Sequence, residues 1–377
     1  MIYFLTKTYP PQNGGGGALL KSHTVDLLKK NGHDVKVICV GKKSQTTEDV
    51  IFVDNKDNIK FSLLKQRLGV QEDYLDTWVT DTFELIKNKI TSKDIVFATC
   101  GGELANIKLA FKLKQKSNCR TLLHFHDPLD HTTLNLERLD YKYHVNRNSL
   151  LNKYCKNADI ILTSTKTYAR HLEQTLNREV FSVYFGVIDQ NNTYLEDKRY
   201  SNNEHVNIIY GGSDGYAQRS SQIFEMLNNR ATEMKNVNFH VFGSSKVVQR
   251  KFNVYNHGML TRENYLKQLI MPNMLGYVSL GPKYFRNCIP SKIYELVSQN
   301  IPILGVLPYG EAFEFIRDQG LGFTVVPGDS AALIKSIERM KDPFNYNRVL
   351  LNLEKFKPQL SPKIYEKYLI SLLEKII

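Results

Sequence analysis

The chain has 377 residues, too many for one ordinary core and suited to two domains. Hydrophobic residues at 42% and charged residues at 23% exclude a long disordered chain, and no apolar stretch approaches the ~20 residues that a membrane-crossing helix needs. The 50 Lys and Arg against 38 Asp and Glu leave +12, with 27 basic and 21 acidic residues through Gln190, so no basic tail exists; anionic lipid headgroups, nucleic acid and plain solubility all suit such a surface.

The first residues run directly into a strand-like segment with no basic leader, so a secretory signal is not expected. Cys39, Cys100, Cys119, Cys155 and Cys288 are odd in number and lack metal-ligand spacing, which points to reduced thiols in a cytosol.

In chain order, Ile2 to Leu5 is a short apolar run, followed by Tyr9-Pro10-Pro11 and four glycines, Gly14, Gly15, Gly16 and Gly17. Ala18 to Lys30 carries apolar residues at helical spacing and closes on Asn31-Gly32, a helix-ending signal; Val35 to Val40 is a second buried-strand run. Strand, glycine loop, helix and strand together open a parallel α/β unit. Further strands are predicted at Ile51–Asp54, Asp94–Thr99, Thr121–Phe125, Asp159–Thr163 and Val180–Tyr184, with helices at Asp73–Ile90, Glu103–Lys116 and Leu134–Lys156.

After Gly186 the composition turns polar as far as His205, which marks a domain boundary. A second alternating series follows, with strands near Val206–Tyr210, Phe239–Gly243, Val254–Asn256, Leu275–Leu280, Pro302–Val306 and Gly322–Val326. Helices are predicted near Ser220–Asn229, Arg262–Ile270, Ser291–Ser298, Ala312–Gln319 and Ser330–Met340, and Ser361–Ile377 reads as a last amphipathic helix. The expected fold is α/β, with two tandem Rossmann-like doubly wound domains that bind ligands at the carboxyl ends of their strands.

The stretch Asn287 to Leu296 carries the chemistry. Pro290 predicts a helix start, which puts Ser291 and Lys292 in the first turn and Glu295 about one turn on. Free backbone N–H groups, a hydroxyl and an ammonium would hold an anion there, and Glu295 would reach a hydroxyl of the same ligand, a combination that suits a sugar nucleotide. The plainer reading is an amphipathic helix burying Ile293, Leu296 and Val297, with Lys292 and Glu295 solvated.

Several spaced features then coincide: Tyr9-Pro10-Pro11 before Gly14 to Gly17; Asn31-Gly32-His33-Asp34-Val35; His126-Asp127 after a strand; Tyr210-Gly211-Gly212; Val241-Phe242-Gly243; Asn256-His257-Gly258; and Pro290-Ser291-Lys292-Ile293-Tyr294-Glu295 with Ile301-Pro302-Ile303-Leu304 behind it. Over nearly the whole chain this resembles the family four glycosyltransferases of GT-B type, and the Pro-Ser-Lys-x-Tyr-Glu variant looks like the branch that builds bacterial surface polysaccharides. The family usually has two glutamates with seven residues between them; Glu295 matches the second, and Asn287 stands at the first, which leaves the identity of the sugar open.

The resemblance implies an acceptor domain at residues 1–187, a nucleotide-sugar donor domain at 205–357, and a helix at 358–377 packing back on the first. It implies retaining, metal-independent transfer from a UDP- or GDP-linked sugar, with no cofactor, to a glycan or lipid-linked acceptor at the inner face of the cytoplasmic membrane. The donor would be held by Gly14, Gly15, Gly16, Gly17, Gly212, Asn287, Pro290, Ser291, Lys292 and Glu295. His126 would contact the sugar, Glu295 the ribose, and Lys292 with Arg219 the diphosphate. His126 also reads as a structural hydrogen bonder, Arg219 as an exposed helix-start arginine and the glycines as a turn. Leu63 to Leu68 with Lys65 and Arg67, then Tyr74, Leu75 and Trp78, would suit a membrane surface or a solvated face. A nucleotide-sugar epimerase and a non-catalytic sugar- or nucleic-acid-binding protein are the alternatives. Nucleic acid is disfavoured because basic and aromatic residues form no clustered stripe.

Overall fold

The structure, a computed structural model, describes residues 1–11, 16–129, 137–186, 205–212, 221–243, 253–281 and 283–377. The chain divides into two compact units, Met1–Ile188 with Pro362–Ile377, and Asp189–Ser361. Among the described residues no helix is long and apolar enough to cross a membrane.

The first unit holds β1 (Ile2–Thr6), β2 (Val35–Val40), β3 (Val50–Val53), β4 (Ile95–Gly101), β5 (Arg120–Asp127), β6 (Ile160–Thr163) and β7 (Phe181–Ser182). They form one parallel sheet in the order β3-β2-β1-β4-β5-β6-β7. Phe4 sits level with Val37 and Phe97, and all five residues of β1 are buried. Helices cover both faces of such a sheet, so its strands read as unbroken apolar runs instead of alternating ones. The strand order reverses between β1 and β4, the place where folds of this kind bind ligands at the carboxyl ends of their strands. The helix Pro362–Glu374 belongs to this unit: Tyr365 is buried with its hydroxyl 3.1 Å from Thr24 Oγ1, and Asn31 donates to Glu366 Oε1 at 2.8 Å.

The second unit holds β8 (Val206–Gly211), β9 (Val237–Phe242), β10 (Asn253–Gly258), β11 (Met274–Ser279), β12 (Ile303–Val306) and β13 (Gly322–Val325). Its sheet is again all parallel, ordered β10-β9-β8-β11-β12-β13, with the reversal between β8 and β11. Two doubly wound α/β units are thus present, as the alternation of strand and helix patterns indicates.

Local readings differ from the structure in places. The helix expected over Asp73–Ile90 spans Asp76–Ile86. The Asp73 carboxylate is taken up by the backbone N–H groups of Leu75 at 3.0 Å and Leu104 at 2.7 Å, so the chain before Asp76 is held in a turn. Leu75 and Trp78, read as members of a surface stretch, lie in the apolar core with Ile38, Val96 and Leu109. Trp78 is the largest fully buried side chain described, so composition alone misplaced it.

Candidate functional site

In the second unit the carboxyl end of β8 is closely packed. Gly212 N–H donates to Phe242 O at 2.8 Å, and Gly243 N–H to Gly258 O at 2.8 Å. A side chain at Gly211 would put its Cβ 2.5 Å from the Tyr265 hydroxyl, so glycine is what lets the Tyr265 ring lie against the strand end. Tyr265 comes from the helix Arg262–Lys267, whose first turn is capped by Thr261 accepting from Asn264 N–H. It is buried edge-on against Phe242, with ring centroids 5.5 Å apart.

The helix Ser291–Ser298 begins directly after Pro290, which is its extended N-cap (φ −59°, ψ 133°), one position earlier than a first helical residue. Pro290 gives this end no side-chain cap, and Ile293 N–H bonds to Pro290 O at 2.9 Å. Ile293, Leu296 and Val297 face the core, and Leu296 packs so closely on β11 that only glycine fits at Gly276. The amphipathic reading therefore holds for that face. On the other face Ser291 is exposed and Lys292 and Glu295 are half-buried, so neither charge is freely solvated. Lys292 Nζ lies 4.8 Å from the centre of the Tyr265 ring and 3.1 Å from Glu295 Oε1. The Lys292 ammonium thus lies between an aromatic face and a carboxylate, one residue into the helix. Asn287, half-buried, closes the 3-10 segment Lys283–Asn287 just before this turn.

Gly212, Asn287, Pro290, Ser291, Lys292 and Glu295 all fall in the second unit, and His126 in the first. Arg219, Gly14 and Gly15 lie outside the described residues. Gly16 opens the helix Gly16–Lys30, and Gly17 has open space around the position a Cβ would take.

His126 sits at the end of β5, edge-on to Phe185 (4.5 Å) and His124 (4.4 Å). Burial, then the neighbouring His124 and Lys21, push its pKa well below the ordinary histidine value, so at neutral pH it is an uncharged imidazole. Its Nε2 is buried with no hydrogen-bond partner among the described residues.

Around the same strand ends the structure assembles a charged group that the sequence reading did not find. Glu103, two residues after β4, is buried and accepts from Gly101 N–H at 3.1 Å and Asn106 Nδ2 at 3.4 Å. Burial lowers the pKa of Lys7, one residue after β1, but Glu103, Tyr74 and Asp73 outweigh it and hold the ammonium charged. Lys21 is buried and donates to Thr8 Oγ1 at 2.8 Å, and its burial pulls its pKa down. Asp73 is raised by burial to about 6, against the pull of Arg147 and the amides of Leu104 and Leu75. Gly101-Gly102-Glu103 after an apolar run was the one available signal; nothing in the sequence pairs it with Lys7. Among the described residues no group of three or more His, Cys, Asp or Glu is arranged to hold a metal ion.

No protein-family model and no curated protein matches the chain. Solved structures match it over its whole length. A trehalose-6-phosphate protein from E. coli bound with UDP-2-fluoro glucose has a TM-score of 0.67 at 12% identity, covering 100% of this chain and 99% of that one. Trehalose-6-phosphate synthase, solved in work on bisubstrate glycomimetics and glycosyl transfer with retention, has a TM-score of 0.68 at 11% identity, with 100% and 99% covered. The lipopolysaccharide outer core galactosyltransferase WaaB, in its apo form, has a TM-score of 0.64 at 16% identity, with 98% and 99% covered. At such identities the likeness bears on architecture, and the chain has the two-unit, Rossmann-like GT-B fold of these proteins.

Proposed function

We propose that the chain is a glycosyltransferase that takes a sugar from a UDP- or GDP-linked donor and passes it, with retention of anomeric configuration and without metal or cofactor, to a glycan or lipid-linked acceptor. The observation that carries this is the Lys292 ammonium, 4.8 Å from the Tyr265 ring in the first turn of the helix Ser291–Ser298, with that ring packed on the glycine end of β8. UDP-2-fluoro glucose bound to one similar fold, and transfer with retention in another, support the donor class and the stereochemistry.

In the proposed reaction the bond from the sugar C1 to the β-phosphate oxygen breaks while the acceptor oxygen bonds to C1 on the same face. The acceptor proton passes to the departing phosphate oxygen. Charge grows on the nucleoside diphosphate as that bond lengthens, so Lys292 and the first-turn N–H groups grip the transition state more tightly than the ground state. Arg219 is assigned to the same charge. Glu295 holds the ribose hydroxyls, Asn287 meets the sugar as an uncharged donor and acceptor, and neutral His126 hydrogen-bonds the sugar through its imidazole. The reaction belongs on the cytoplasmic face of the membrane, where lipid-linked acceptors grow.

Lys292→Ala and Glu295→Ala are each expected to weaken nucleoside diphosphate binding about ten- to hundredfold by calorimetry, since each removes a hydrogen bond to a charged group or from one. Unchanged affinity in both ends the assignment of this helix. A panel of nucleotide sugars, scored by release of free nucleoside diphosphate with and without membrane extract, tests the reaction. Acceptor-dependent release is expected, and donor consumption that needs no acceptor would identify an epimerase instead.

A further inference from the structure

The helix Ile59–Arg67 of the first unit is turned inside out. Its start is secured by Asn58, whose side-chain oxygen accepts from Lys60 N–H at 3.1 Å and Phe61 N–H at 3.3 Å. A helix on a protein surface ordinarily turns its apolar stripe to the core. Here the buried residues are Ser62 and Gln66, at 5% and 6% exposure, and Gln66 Oε1 accepts from Tyr74 N–H at 2.8 Å. Phe61, Leu64 and Leu68 stand 57%, 51% and 64% exposed, with Ile59 and Val70 open beside them. The polar face is thus tied down and the apolar face is presented.

The cations on this segment narrow what the face meets. Lys60 and Arg67 are exposed, and Lys65 is half-buried with its Nζ 4.6 Å from the centre of the Phe61 ring. No acidic residue occurs between Asn58 and Gln71. A second copy of the chain would set these like charges against each other, and a nucleic acid would leave the apolar side chains in water. An anionic lipid surface satisfies both features, because headgroups pair with the lysines and arginine while the rings and leucines enter the acyl boundary.

We propose that the face formed by Ile59, Phe61, Leu64, Leu68 and Val70, with Lys60, Lys65 and Arg67 at its border, docks the protein on an anionic lipid bilayer. This rests on the first unit alone and holds whether or not the chain transfers sugar.

The test is cosedimentation of the full chain with phosphatidylcholine vesicles, with and without phosphatidylglycerol. Binding is expected to the anionic vesicles and to weaken in high salt. The triple variant Phe61→Ser, Leu64→Ser, Leu68→Ser is expected to lose at least about tenfold in vesicle affinity, and Lys60→Glu with Arg67→Glu to lose the preference for phosphatidylglycerol. All five side chains are exposed, so unchanged circular dichroism and thermal midpoint are expected and separate lost docking from lost folding. Failure of the parent chain to bind anionic vesicles overturns the proposal, as does equal binding by parent and triple variant. A parent dimer in ultracentrifugation that the triple variant abolishes, with no vesicle binding, assigns the face to a second copy instead.

Discussion

Gly243→Ala is expected to destabilise the second unit by about 3 kcal/mol or more, and to lower its thermal midpoint by about 10 °C. Gly243 holds a φ of +140°, which a side chain resists, and an added Cβ would lie 1.9 Å from the carbonyl oxygen of Gly212. The Cβ is fixed to the main chain and the Gly212 carbonyl is part of it, so no rotamer change relieves the contact, and the main chain has to shift. Because Gly212 follows Gly211, against which Tyr265 packs, that shift reaches the Lys292 site, and weaker nucleoside diphosphate binding should accompany the loss of stability. Gly258→Ala is the control. Its φ is +68° with open space at the Cβ position, so only the dihedral cost of about 1 kcal/mol applies. Equal midpoints for the two variants in thermal melts would show that the contact with Gly212 is not what holds this strand end together.

His124 is expected to make the first unit sensitive to acid. Its ring is fully buried, stacked 5.0 Å from Phe185 with Phe97, Tyr365 and His126 around it, and neither ring nitrogen has a partner among the described residues. Burial pushes its pKa from the usual 6.5 down to about 3. Between those values the unfolded chain binds a proton that the folded chain refuses. The folded state is therefore fully favoured above pH 6.5 and loses ground as pH falls toward 3. At pH 5 the loss from this residue is about 2 kcal/mol relative to pH 8. Asp73, raised by burial to about 6, works the other way, gaining stability as pH falls toward its unfolded value; the comparison therefore has to be between variants.

In His124→Phe the Asp73 contribution is retained and the His124 contribution is gone. Its urea-unfolding free energy should fall between pH 8 and pH 5 by about 2 kcal/mol less than that of the parent. At pH 8 the variant should match or exceed the parent, because a ring with unpaired nitrogens is replaced by one with none. Identical pH dependence in the two proteins would mean that His124 finds a proton acceptor in the folded state.

Ile2–Thr6 and Ile95–Gly101 were readable from the sequence because strands of a covered parallel sheet are buried on both faces, so they appear as continuous apolar runs and need no partner to be recognised. The start of the helix at Ser291 and the spacing of Lys292 and Glu295 were equally local, set by Pro290 and by the helical repeat. Tertiary structure decided everything that joins distant segments. Lys7, Tyr74 and Glu103 meet because β1 and β4 are neighbours, and the Tyr265 ring reaches Lys292 because a glycine ends β8.

The helix Ile59–Arg67 shows the difference most plainly. Its sequence specifies two faces, but which one turns inward follows from Gln66 meeting the Tyr74 amide eight residues on. Trp78, taken as exposed beside basic residues, is enclosed for the corresponding reason. A chain encodes local geometry through its own backbone and side-chain preferences, whereas burial belongs to whatever the folded neighbours cover.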